Sequence, residues 1–196
     1  MVVDTASAPG VGGAAAEDKD GPSDDDPGPS FFFLIIERED WHALGDVEAV
    51  VARAYAACAE SIAAIAGREV SIVLSTDNAV AALNARYRGK NHPTNVLSFP
   101  AADFSVRAPS SAARSALGDV IIAYETVIGE AGEEGKPPLH HLSHLTVHGL
   151  LHLAGFDHQT DADAERMERL EREILAGIGI PDPYSLTSDA TPAAVG

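Results

Sequence analysis

The chain has 196 residues, 45% hydrophobic and 22% charged, with a mean hydropathy of zero: one globular domain's worth of sequence, long enough to bury a core. A single cysteine, Cys58, excludes an intramolecular disulfide, and no apolar run exceeds six residues where a membrane span needs about 20. With no basic segment and apolar stretch at its start and a net charge of −17, it reads as a cytoplasmic protein that neither enters membranes nor attracts nucleic acid at long range.

Residues 1–30 carry seven acids against Lys19, a net of −6, so −11 remains on the rest. They hold almost no large apolar side chains and read as a disordered acidic, Gly/Ala/Pro-rich tail. The folded domain is expected over residues 31–184, followed by a flexible tail over 185–196. Phe31–Glu37 is short and β-prone, a strand. From Asp46 to Ala66 apolar residues recur at three- and four-residue spacing, giving an amphipathic helix stopped by Gly67. Glu69–Ser75 is a strand and Asn78–Tyr87 a helix. Asn95–Phe99 and Leu117–Ala123 are strands separated by a Ser/Ala/Pro-rich loop around Ala101–Ala116. Helices follow over Tyr124–Glu134, from Pro137-Pro138 to about Ala154, and over Asp161–Leu175, the last stopped by Gly177. The pattern predicts an α+β fold, a mixed sheet of about four strands packed with about five helices.

Six of the eight histidines fall between His140 and His158. His148 and His152 stand four apart on one helix, so their rings leave the same face about 5–6 Å apart at Cβ, which suits two nitrogens meeting one ion. Gly155 permits the left-handed exit that turns the chain back, and His158 can then supply a third nitrogen. Three neutral histidines leave a fourth position on zinc open, as catalytic sites do, and no second cysteine is present to close it. A histidine pair at this spacing is more often solvated or core. The glycine exit and third histidine tip the balance toward one zinc ion on His148, His152 and His158.

The spacing is zincin-like: in the extended zinc-protease motif a Glu general base follows the first histidine. Here that position is Gly149, which opposes a peptidase. His144 reads as a core residue or a support for a ligand, His140 and His141 as exposed first-turn residues, and His42 carries no signal. Asp157 either orients a histidine by accepting its second ring proton or shapes the turn, and the turn is favoured.

Arg86, Arg88 and Lys90 form the one concentrated basic patch. The planar fork of Arg suits phosphate, and Tyr87 offers a ring on which a base could stack. The same cations could instead complement a helix dipole and pair with acids.

The run from His148 to His158 (His-Gly-Leu-Leu-His-Leu-Ala-Gly-Phe-Asp-His), Tyr87-Arg88-Gly89-Lys90 and Pro93-Thr-Asn-Val-Leu-Ser-Phe-Pro100 resemble the bacterial YbeY family. Leu117-Gly118-Asp119-Val120-Ile121 and Asp182-Pro183-Tyr184 fit it too, and the resemblance extends from about Phe31 to about Tyr184. It implies an α+β, metal-dependent, single-strand-specific endoribonuclease of ribosomal RNA maturation (small-subunit 3′ end processing) and ribosome quality control. It also implies that His148, His152 and His158 bind Zn2+, and that Arg88 lines the RNA cleft and is needed for activity. The acidic extension lies outside the pattern. Partners would be single-stranded ribosomal RNA, the small ribosomal subunit and, given the acidic surface, a basic ribosomal protein. The rivals are a non-catalytic ribosome-assembly factor with a structural metal and, behind it, a zinc peptidase.

Overall fold

The structure, a computed structural model, describes residues 32–101 and 116–185. The expected tails and the interior of the Ala101–Ala116 loop lie outside the described residues. Four strands make one mixed sheet: β1 Phe32–Ile36, β2 Glu69–Ser75, β3 Val96–Pro100 and β4 Ala116–Ala123, in the order β1-β2-β4-β3. β1 and β4 each pair parallel to β2, and β3 pairs antiparallel to β4. The described α-helices are α1 Val47–Ser61, α2 Asp77–Arg88, α3 Tyr124–Glu133, α4 Pro138–Leu153 and α5 Asp161–Gly177. The α+β architecture matches the expectation from periodicity. No described helix is long and apolar enough to cross a membrane.

Alternation along the strands feeds two cores, because successive side chains leave opposite faces of a sheet. Val70, Ile72 and Leu74 of β2 join Val120 and Ile122 of β4 on one face, packed with residues of α1, α4 and α5. Val73, Leu97, Phe99 and Ile121 point the other way and meet Val80 and Leu83 of α2.

Three stretches differ from expectation. The helix predicted to reach Ala66 ends at Ser61, where Ile62 takes extended angles (φ −123°, ψ 103°). Ile62 and Ile65 are nevertheless buried in the main core, so apolar spacing continues through a turn that is not helical. A 3-10 helix over Glu39–Leu44 has no periodic signature at all. It carries the fully buried Trp41, whose indole N–H donates to the Ser75 carbonyl at 3.2 Å. At the C-terminal end, α5 runs through Gly177 instead of stopping before it.

Two glycines set how closely the layers approach. A Cβ at Gly149 would lie 2.6 Å from Val120 Cγ1 and 3.3 Å from Ser98 Oγ, so a bare backbone lets α4 lie against β3 and β4. The Ser98 hydroxyl completes the contact by donating to the Gly149 carbonyl at 3.1 Å. Gly118 has φ +144°, and a Cβ there would stand 2.3 Å from the Phe99 carbonyl oxygen. Strain and overpacking combine at that position, so Gly118→Ala should cost on the order of 3 kcal/mol in urea unfolding. Gly129→Ala, in α3 with nothing within 4 Å of its Cβ position, should be neutral or stabilising by up to about 1 kcal/mol. Equal effects of the two changes would show that close approach at 118 is not the constraint.

Candidate metal centre

α4 is buried on almost every side, and the stripe it leaves half-open is made of histidines: His144, His148 and His152, at four-residue steps. The helix closes with Gly155 at φ +91°. The Phe156 N–H donates to the Leu151 carbonyl and the Gly155 N–H to the His152 carbonyl, both at 3.0 Å, the paired bonds of a Schellman turn. That turn carries His158 back, its ring centroid 5.0 Å from that of His152 and 5.7 Å from that of His148.

Hydrogen bonds assign the tautomers. His148 Nδ1 lies 2.7 Å from Glu171 Oε1, and His152 Nδ1 lies 3.0 Å from the Phe156 carbonyl oxygen. A carboxylate and a carbonyl only accept, so each Nδ1 holds a proton, and in the neutral ring each Nε2 presents a lone pair. The two Nε2 atoms face each other at 3.0 Å. Two such lone pairs repel unless a cation accepts both. Nitrogens about 2.0–2.1 Å from one tetrahedral ion stand about 3.3 Å apart, so this pair fits one metal with little movement. His148, His152 and His158 each offer a ligand atom, all within 4.8 Å of one another. Burial first, then the neighbouring His148 and His158, lowers the His152 pKa and keeps that ring in its neutral, metal-binding form.

Behind the cluster lies a residue outside the ligand set expected from the sequence. Glu171 on α5 is fully buried and accepts from His148 Nδ1, from His144 Nε2 at 3.4 Å and from the Tyr184 hydroxyl. Burial alone would raise its pKa. The bonds from His144, His148 and Tyr184 outweigh that and hold it at about 2. Tyr184 is pushed up in turn by burial and by its bond to Glu171, and stays a donor. His144, His148 and Glu171 also satisfy the spacing for a metal. Their facing atoms are already joined by N–H···O bonds, however, so this set supports the first. The sequence signal for Glu171 is its place four after Met167 and four before Leu175, both buried. It is an acid on the apolar stripe of an otherwise solvated helix.

Asp157 shapes the turn: its carboxylate accepts from the His158 backbone N–H at 2.8 Å and from the Gln159 side chain. His140 and His141 are not the exposed pair expected. His140 is half-buried, and His141 is buried with Nε2 2.8 Å from Glu130 Oε2, because the first turn of α4 packs against α3.

Arg88 ends α2, and Gly89 in the left-handed conformation turns the chain away. The loop beyond is held at two points. Asn84 Nδ2 donates to the His92 carbonyl at 2.8 Å, and Asn95 Nδ2 donates to Glu130 Oε2 at 3.0 Å. Arg88, Ser98, His148, His152, Asp157 and His158 line one cleft of about 600 Å³. Arg86, Arg88 and Lys90 are exposed and form no ion pair with the described residues. The acid pairing that would make them structural is not found there.

Fold and site together define an α+β protein with a cleft-facing histidine cluster able to hold a metal ion. The family profile described as Endoribonuclease YbeY matches residues 35–179. A protein of Rhodopseudomonas palustris strain BisB5, named Endoribonuclease YbeY, is 50% identical over 88% of this chain and 90% of its own. One from strain BisA53 with the same name is 53% identical over 78% and 88% respectively. The solution structure of a Thermotoga maritima protein aligns with a TM-score of 0.45 and 20% identity, over 84% of this chain and 99% of that one. The chain belongs to the Endoribonuclease YbeY family.

His148→Ala should abolish tight zinc binding. Glu171→Gln, nearly isosteric, should weaken it about 10- to 100-fold through loss of the orienting carboxylate. Competition with a chromophoric chelator measures both, and unchanged affinity in Glu171→Gln would remove the role given to that residue. Protons compete for the same lone pairs, so zinc affinity should fall as pH drops below about 6.5. Tighter binding in acid would refute the ligand set.

Proposed function

We propose that this protein is a zinc-dependent, single-strand-specific endoribonuclease. Its substrate is ribosomal RNA of the small subunit, whose 3′ end it processes in the cytoplasm, and it serves ribosome quality control. Residues 31–184 are the working domain, flanked by tails over 1–30 and 185–196. One observation carries the reading: the facing Nε2 lone pairs of His148 and His152, with His158 beside them, open into the same cleft as Arg88, a cation without a partner among the described residues. The names of the relatives point the same way.

His148, His152 and His158 would hold the ion. Bound there, it supplies Lewis-acid polarisation of a phosphoryl oxygen or of water. The chain's own part is positional and electrostatic. The Glu171 carboxylate and the Phe156 carbonyl keep both Nε2 atoms free of protons. Arg88 donates its fork of N–H groups to phosphate oxygens and stabilises the extra negative charge of the pentacovalent transition state. An open cleft can take splayed, unpaired bases, whereas the major groove of an RNA duplex is too narrow for side chains to read. The acidic surface suits a basic ribosomal protein as docking partner. A peptidase would need a base after His148, and Gly149 has neither a side chain nor room for one beside Val120.

Zinc content and cleavage of a defined unpaired RNA, measured in parallel, test this. Wild type should hold zinc and cut, and His148→Ala should do neither. Arg88→Glu should keep its zinc and lose at least about 100-fold in rate. Cleavage by Arg88→Glu at the parental rate would end the transition-state role of that residue. Wild-type protein that binds the small subunit yet leaves unpaired RNA whole would be an assembly factor instead.

A further inference from the structure

Tyr87, the residue before Arg88, is 59% exposed although its ring rests edge-on against Phe99, with centroids 5.2 Å apart and an interplanar angle of 62°. The Arg86 guanidinium lies over the same ring at 5.3 Å. The Tyr87 hydroxyl has no hydrogen-bond partner among the described residues, so the contacts with Phe99 and the Arg86 cation are what hold the ring. Neighbouring residues on a helix point about 100° apart. Arg88 therefore turns into the cleft, while Tyr87 packs on Phe99 of β3, an outer strand of the sheet, on the face that carries α2. The result is an exposed aromatic side chain, supported by Phe99 and Arg86, one residue away from the arginine of the cleft.

We propose that Tyr87, braced by Phe99 and Arg86, is a stacking platform for an unpaired base of the nucleotide flanking the phosphate held by Arg88. This rests on the cleft being an RNA cleft, and it supplies that cleft with its single-strand preference. A base in a duplex has both faces occupied by its neighbours, whereas an unpaired base can offer one to tyrosine. Every base has a π-face, so the platform selects for absence of pairing rather than for sequence. Arg86 adds a cation to the stack.

The test uses fluorescence anisotropy of the full-length, zinc-loaded protein with two labelled strands. One is a ten-nucleotide oligothymidine, which presents bases and phosphates without a 2′-hydroxyl to react. The other is the same backbone with abasic sites. On the base-bearing strand, Tyr87→Ala and Tyr87→Leu should weaken binding about ten-fold, and Tyr87→Trp should retain it. On the abasic strand all three should match wild type, an outcome that a merely structural tyrosine would not give. Arg88→Glu should weaken both strands alike. If Tyr87→Ala binds the base-bearing strand as wild type does, or loses equally on the abasic one, the platform is refuted while the cleft stands. If wild type binds neither strand, the platform falls, and the RNA reading beneath it is decided by the cleavage assay on unpaired RNA.

Discussion

A carboxylate with no exposed surface costs several kcal/mol to bury unless donors surround it. Glu171 has three: a ring N–H from each of two histidines and a phenol. These bonds to an ionised acceptor are of the stronger kind, and they act on two scales at once. They dock α5, and the Tyr184 turn beyond it, onto α4. They also fix the His148 proton on Nδ1, which frees Nε2 for the cleft. Packing of the last helix and orientation of the first cleft histidine are therefore one event.

The helix that presents His148 and His152 must also pass through the middle of the protein. α4 meets β3 and β4 on one side and α1, α3 and α5 on others, so it is apolar nearly all round. Its one half-open stripe is where the histidines sit. Gly149 serves this arrangement directly, because any side chain there would press on Val120. The same glycine removes the carboxylate that a peptidase would place after its first histidine. A packing requirement and a chemical distinction thus meet in one residue.

Arg88 reaches the cleft from the opposite direction. α2 packs on the other face of the sheet, against Leu97 and Ile121, and Arg88 at its C-terminal end lines the cleft. The cleft is built from both faces, with histidines from α4 and the turn after it and a cation from the end of α2. The Asn84 and Asn95 side chains hold the intervening loop, so the arginine is anchored on ordered backbone at both ends. In a chain of net charge −17, Arg86, Arg88 and Lys90 form a short basic stretch with no paired acid among the described residues.

Most strands and helices were legible from local spacing, since periods of two and of about 3.6 residues are properties of neighbouring residues. The exceptions have local causes: Ile62 and Ile65 prolong an apolar rhythm through a turn, and Trp41 is a single buried ring among polar neighbours. His148, His152 and His158 were legible for the same reason, because helix geometry and a glycine exit relate them within eleven residues of sequence. By itself, then, the sequence determined the elements, the three-histidine cluster and the basic stretch. Tertiary structure decided which groups face which. Glu171 lies 23 residues from the histidine it holds, and Arg88 arrives from another face of the sheet. His141 is covered by a different helix. Such pairings depend on how elements dock, and no spacing along one element encodes them.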